Sequence, residues 1–348
     1  MRVLFRVDAG AVIGFGHLQR SLSLALALRQ AGAHCVFLTD ARLDLKRHVA
    51  ASGFRAIALT RSRRGSLGDA SETVRLAAQE RCAALVVDAY EGTESFLARV
   101  GVSGLYVAAI NDIPRHAFPC QLVVNGSLGA KNLPYRAAGV GTRFLLGPAY
   151  ALLRPEFRHV PPRATRQVVR NVLVTLGGAD PASLMPRLLT LLEGAPGAFE
   201  VTVIVGPFFT HRAALQETVR RQRRSVRLIP APDSVCGLMQ DADLAISAGG
   251  QTLFELAATA TPTLAIRMAD NQTVQLQGLS RAGAVKNLGE PHEAGFAQRL
   301  SGELQALLRS RQTRMTMSRR AQGLIDGLGA ERVAQHLLRH ARTMADTS

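Results

Sequence analysis

The sequence predicts an α/β protein of two Rossmann-like domains facing a central cleft. Three observations carry that expectation. Short apolar runs of strand length alternate with alanine- and leucine-rich helical runs, and the strand runs are apolar throughout, as in parallel sheets covered on both faces. The alternation stops at the basic, proline-bearing stretch Arg158-His-Val-Pro-Pro-Arg-Ala-Thr165 and then restarts. In each half the first strand leads into a glycine turn and a helix.

Arg2–Val7 is the first strand run, with Asp8 behind it. Val12-Ile-Gly-Phe-Gly-His-Leu-Gln-Arg20 follows as a strand-to-helix turn, and Ser21–Arg29 is a good helix former. Gly14 and Gly16 allow a tight turn and close approach of a ligand. His17 then lies at the mouth of the turn, where an open α/β sheet has its ligand crevice. A dinucleotide fingerprint needs a third glycine, but Gln19 stands there, so Asp40 as a ribose-binding acid lacks its companion motif. His34–Leu38, Arg55–Leu59, Ala84–Asp88, Leu105–Ile110 and Gln121–Val124 are further strands; Thr60–Asp69 is a basic loop before a helix over 70–81. Polar residues collect just after these strands: Asp8, Asp88, Tyr90, Asp112 and Asn125. Each alone suits a cap or turn, but five at one end of one sheet line a crevice.

After the linker, Asn171–Leu176 is a strand that enters Gly177-Gly-Ala-Asp-Pro181 and a helix to Leu192. Val201–Val205, Val226–Ile229, Asp243–Ser247 and Thr263–Ile266 are strands, with Thr210–Arg221 a helix. Ala248-Gly-Gly-Gln-Thr-Leu-Phe-Glu255 opens a helix on two glycines, where backbone N–H groups can hold a pyrophosphate. Thr252 adds a hydroxyl, and Glu255, one turn past Gly250, is in reach of ribose hydroxyls. Asn271 and Gln272 follow the next strand; their amides donate and accept at once, which suits sugar hydroxyls or acetamido groups. The expected domains are residues 1–160 and 166–330, with a C-terminal helix and tail at 331–348.

Composition narrows the function. The chain has 47% hydrophobic and 20% charged residues, as a globular protein does, and no apolar run of transmembrane length. No leader pattern precedes the first strand, so a cytoplasmic location is expected. Cys35, Cys82, Cys120 and Cys236 have no metal or redox spacing and read as buried reduced thiols. The net charge is +16, and almost all of it is arginine. Nucleic acid is not the expected partner, because tryptophan is absent and aromatics are 5%. Arg61-Ser-Arg-Arg64 and Arg220-Arg-Gln-Arg-Arg224 are the dense basic clusters, compatible with peripheral contact to anionic lipid. No metal-ligand spacing and no phosphate-binding loop ending in Gly-Lys occur. Oligomeric state is not legible.

Ile13-Gly-Phe-Gly-His17-Leu-Gln-Arg20 resembles the glycine-histidine turn of the UDP-sugar hydrolases of pseudaminic acid synthesis. Leu145-Leu-Gly-Pro-Ala-Tyr-Ala-Leu-Leu-Arg-Pro-Glu-Phe157, with Arg154 inside it, is the most specific match. Leu176–Pro181, Ala248–Glu255 and Ala269–Gln272 extend the resemblance in order over nearly the whole chain. It implies the GT-B architecture. It also implies metal-independent, cofactor-free, inverting hydrolysis of UDP-2,4-diacetamido-2,4,6-trideoxy-β-L-altrose. His17 would then be the general base toward water, Tyr90 and Asn271 would contact the sugar, Glu255 the ribose, and Gly249-Gly250 the diphosphate. The sequence departs from that pattern at Asn111-Asp112, Asn125-Gly-Ser127, Gln251-Thr252 and Phe254. The same residues serve a glycosyltransferase, because water and an acceptor hydroxyl need the same base. A sugar-nucleotide-binding protein without turnover is the third alternative.

Overall fold

The computed structural model describes residues 1–8, 15–40, 43–59, 64–89, 94–139, 141–180 and 182–346. They form two compact units. One runs to Pro155 and takes in the C-terminal segment from Gly327; the other is Glu156–Asp326.

In the first unit the order is β1 (Arg2–Val7), α1 (Gly16–Gln30), β2 (His34–Asp40), α2 (Leu43–Ala51), β3 (Arg55–Leu59), α3 (Leu67–Gln79), β4 (Ala84–Asp88), α4 (Glu94–Gly101), β5 (Tyr106–Ile110), β6 (Leu122–Asn125) and β7 (Arg143–Leu146). The strands make a parallel sheet in the order β3-β2-β1-β4-β5-β6-β7. Strands β4, β5 and β6 are buried at every residue, which is why their sequences are apolar without alternation. Helix α3 starts three residues earlier than its apolar pattern suggests, because Ser66 caps it by accepting from the Asp69 N–H at 3.2 Å.

The second unit runs β8 (Asn171–Thr175), α5 (Leu184–Glu193), β9 (Glu200–Val205), α6 (Arg212–Arg220), β10 (Val226–Pro230), α7 (Cys236–Asp241), β11 (Leu244–Ala248), α8 (Thr252–Ala258), β12 (Thr263–Ile266), α9 (Thr273–Arg281), β13 (Val285–Asn287), α10 (Phe296–Arg309) and α11 (Arg311–Ala321). Its parallel sheet has the order β10-β9-β8-β11-β12-β13. The stretch expected as a linker is fastened to this unit: Arg163 donates to the Met239 carbonyl and to Thr261 Oγ1, each at 3.1 Å.

The final helix, α12 (Gly329–Asp346), packs on the first unit. Ala330, Val333, Ala334, Leu337, Leu338 and Ala341 form one buried stripe at helical spacing. Its start presses on Ala151 so closely that a Cβ on Gly329 would lie 2.2 Å from the Ala151 carbonyl oxygen. Gly126 meets the same residue from elsewhere in the unit, with a Cβ position 2.6 Å from the Ala151 Cα. All four cysteines are free and buried, and burial pushes the Cys35 and Cys120 thiols up to about 12.

Each sheet has one place where the strand order reverses. In the first it lies between β1 and β4, in the second between β8 and β11. Ligand crevices of open α/β sheets form at the carboxyl ends of strands at such places.

Candidate active site

The reversal point of the first sheet holds a network of ionised side chains. Asp8 and Asp88 end its two strands, and the Asp8 N–H donates to the Asp88 carbonyl at 3.2 Å. His17 and Arg20 stand on the first turn of α1, three residues apart and on one helix face. Arg20 grips Asp88 with both arms of its fork, Nε to Oδ2 at 2.8 Å and a terminal nitrogen to Oδ1 at 2.7 Å. Its other terminal nitrogen reaches Asp112 Oδ2 at 2.6 Å. Ser21 Oγ donates to Asp88 Oδ2 at 3.0 Å. His17 Nδ1 lies 2.5 Å from Asp88 Oδ1.

That last distance decides the imidazole's tautomer. A carboxylate oxygen and an unprotonated ring nitrogen repel at 2.5 Å, so Nδ1 carries the proton and donates it to Asp88. Arg20 lies 3.1 Å from the same Nδ1, but a nitrogen whose proton goes to Asp88 has no lone pair left to accept a guanidinium N–H. In the neutral ring the lone pair is therefore on Nε2, the form a general base needs. Asp88 is fully buried. Burial alone would raise its carboxyl, but Arg20 and then His17 outweigh it and hold the group well below the usual carboxylate range.

Asp8 belongs to a second buried cluster beside this one. Arg6, inside β1 and 1% exposed, donates to Asp8 Oδ1 at 2.6 Å and to both oxygens of Asp69 at 3.0 and 2.7 Å. The run read as apolar thus carries a buried guanidinium, tolerable because two carboxylates flank it. Asp8 Oδ2 is buried with no hydrogen-bond partner among the described residues.

Asn125 is tied down at both ends of its amide. Its oxygen accepts from the Ser127 N–H at 2.8 Å, and its nitrogen donates to the Tyr135 hydroxyl at 2.8 Å. Arg154 is half-buried at the end of the first unit, where its charge, after burial, lowers the pKa of His48. Gly14 and Tyr90 lie outside the described residues.

The second reversal point holds the other group. The Gly249 N–H is already given to the Ile266 carbonyl at 2.8 Å, so it is not offered to a ligand. Gln272 lies over the glycine pair, and a Cβ on Gly249 would come 3.0 Å from its Oε1. That oxygen accepts from the Met268 N–H at 2.9 Å, and Gln275 donates to the Gly250 carbonyl at 2.8 Å. Gln272, expected to meet sugar hydroxyls or acetamido groups, thus commits its amide oxygen to shaping the glycine turn. Thr252 begins α8, Glu255 is buried in its first turn, and Asn271 is half-buried in a single 3₁₀ turn. Asp180 receives the Leu184 and Met185 N–H groups at 2.9 and 2.8 Å and so fixes the helix start after the other glycine turn.

The sequence reading missed the roles of Asp88 and Arg20. Both were in view, one at a strand end and the other three residues after His17, and the shared helix face was the available signal. Among the described residues no three His, Cys, Asp or Glu are grouped to hold a metal ion.

No family model matches the chain. Over 97% of its length it superposes on 99% of MurG from Acinetobacter baumannii, with a TM-score of 0.69 at 16% identity. The spinosyn rhamnosyltransferase SpnG, in a complex with thymidine diphosphate, aligns over 98% of this chain and all of its own, again at 0.69, with 17% identity. The chain has the GT-B fold. At these identities the likeness to GT-B glycosyltransferases concerns the fold alone. In sequence it is similar to the spore coat polysaccharide biosynthesis protein SpsG of Bacillus subtilis, 28% identical over 214 residues, which cover 61% of this chain and 62% of that protein. The chain spans 53% and 62% of the length of the curated relatives it matches. Among the described residues no helix is long and apolar enough to cross a membrane.

Proposed function

We propose that the chain transfers a glycosyl group from a nucleoside diphosphate sugar to an acceptor hydroxyl. The observation that carries this is the 2.5 Å contact between His17 Nδ1 and Asp88, at the reversal point of a GT-B sheet. His17 Nε2 takes the proton of the attacking hydroxyl. The new bond forms from that oxygen to the anomeric carbon as the bond to the diphosphate breaks, and the diphosphate leaves with the electron pair, inverting the centre. Asp88 holds the ring and balances the imidazolium that forms; Arg20 keeps Asp88 ionised and in place. The Gly250 and Thr252 N–H groups at the start of α8 receive the diphosphate and Glu255 the ribose, with Asn271 toward the sugar.

Hydrolysis, with water in the acceptor's place, is the second reading. The matches at Ile13–Arg20 and Leu145–Phe157 to the pseudaminic-acid-pathway hydrolases favour it, and they name the diacetamido sugar as its substrate. A cytoplasmic enzyme without metal or cofactor fits both readings.

One assay separates them. The purified protein is given UDP-N-acetylglucosamine, UDP-2,4-diacetamido-2,4,6-trideoxy-β-L-altrose or dTDP-rhamnose, with and without monosaccharide acceptors. Nucleotide binding with release only when an acceptor is present is the expected result. Steady release in water alone replaces transfer by hydrolysis. Failure to bind UDP or dTDP removes both readings. His17→Phe abolishes product formation and leaves nucleotide affinity intact; turnover by that variant removes His17 from its role.

A further inference from the structure

The cluster Arg220-Arg-Gln-Arg-Arg224 takes no part in this chemistry. It ends α6 and enters β10, at the amino ends of the strands of the second unit, the edge opposite the Gly249-Gly250 turn. An open concavity of about 820 Å³ lies there, whose charged lining is Arg166, Arg170, Arg223, Arg224 and Arg227 together with Glu193, Glu200 and Asp241.

These guanidiniums are not equally committed. Arg224 is structural: it stacks 3.7 Å from the Phe199 ring centre and donates to the carbonyls of Ala195, Gly197 and Phe199. Arg166 is engaged by the Asp241 carbonyl and Asp243. Arg227 gives one N–H to Thr202 Oγ1 at 3.2 Å and keeps the others. Arg170 and Arg223 are exposed, and their side chains have no partner among the described residues. Of the acids in the lining, Glu193 accepts from the backbone N–H groups of Arg223 and Arg224, while Glu200 and Asp241 are exposed, so the arginines of the basin outnumber its acids five to three. Arg220 and Arg221 share Glu217 beside the rim. One apolar side chain stands out of this basic edge: Val168, 62% exposed, between Arg166 and Arg170 in sequence.

We propose that this edge of the second unit docks on an anionic lipid bilayer. Unspent guanidinium N–H groups on a wide rim match lipid phosphates, and an exposed valine among them gains by entering the headgroup boundary. A nucleic-acid backbone would give that valine nothing, and the one aromatic ring in the basin, Phe199, is covered by Arg224 and cannot stack a base. Since the docking edge is opposite the turn proposed for the diphosphate, docking and nucleotide binding are independent.

Sedimentation of the full chain with vesicles tests this. At about 0.1 M salt, pelleting is expected with phosphatidylcholine vesicles containing about one-third phosphatidylglycerol and not with phosphatidylcholine alone, with release at about 0.5 M salt. Arg170→Glu/Arg223→Glu/Arg227→Glu cuts the bound fraction about fivefold or more, and Val168→Asp cuts it further. A charge-matched control on the same unit, Arg281→Glu/Arg309→Glu/Arg319→Glu, binds as the parent does. UDP affinity, measured for every variant, stays at the parent value and shows that each is folded. No pelleting with anionic vesicles overturns the proposal. So does equal loss in the control, or retention by mixed-sequence duplex DNA without vesicle binding.

Discussion

A carboxylate that accepts from an imidazole, a guanidinium fork and a hydroxyl, all in a buried site, is stabilised only while it is ionised. Asp88→Asn replaces one acceptor oxygen with a donating NH₂ group facing donors. The ring of His17 is then driven to its other tautomer, with the lone pair turned inward. Turnover is expected to fall about 10²–10⁴-fold with nucleotide affinity unchanged, as when the orienting carboxylate of a catalytic triad is removed. An equal fall in affinity would assign Asp88 to binding instead. The same residue sets a pH dependence. Its folded-state pKa is depressed, so its contribution is complete above the ordinary carboxylate pKa and is lost as pH falls from about 4 toward the depressed value. The parent's thermal midpoint should therefore drop more steeply below about pH 4 than that of Asp88→Asn, while above about pH 5 this residue adds no slope. Parallel curves in acid would remove the depressed pKa.

At the scale of elements, the segment Leu145–Phe157 shows what a sequence match can conceal. It is the chain's most specific resemblance, and much of its constraint is packing. Ala151 is met by the backbones of Gly126 and Gly329, Leu152 and Leu153 are buried, and Arg332 of α12 donates to the Ala149 carbonyl at 3.0 Å. A methyl group on Gly329 has nowhere to go, because its neighbours are backbone atoms. Gly329→Ala should destabilise by about 1–3 kcal/mol, lowering the thermal midpoint roughly 2–4 °C per kcal/mol for a unit of this size. An unchanged midpoint would mean that α12 is not seated on Ala151. The strands buried on both faces were legible because an apolar run such as Ala84–Val87 needs no partner to be recognised. Arg143–Leu146 and Val285–Asn287 were not, because three or four residues at a sheet edge owe their form to the neighbouring strand. The buried Arg6 was hidden for a related reason: its partner Asp69 is 63 residues away. Within the site, the glycine turns and His17 could be read from local order. The hold of Asp88 on His17 spans 71 residues and depends on β1 and β4 being neighbours, a property of strand order.

At the scale of the whole molecule, each unit has its own sheet and its own buried cluster, one built on β1–β7 and the other on β8–β13. Two such cores can unfold separately, and a ligand stabilises only the one that holds it. The residues proposed for the nucleotide, from Gly250 to Asn271, all belong to the second unit, and His17 belongs to the first. Calorimetry should therefore resolve two transitions. UDP at about 100 times its dissociation constant adds about 2.7 kcal/mol to whichever unit binds it, which corresponds to a rise of roughly 5–10 °C. That rise should appear in one transition only, and Glu255→Ala should reduce it while His17→Phe leaves it whole. If His17→Phe abolished the shift and Glu255→Ala did not, the nucleotide would sit on the first unit, and the assignment of base and nucleotide turn to separate units would be reversed.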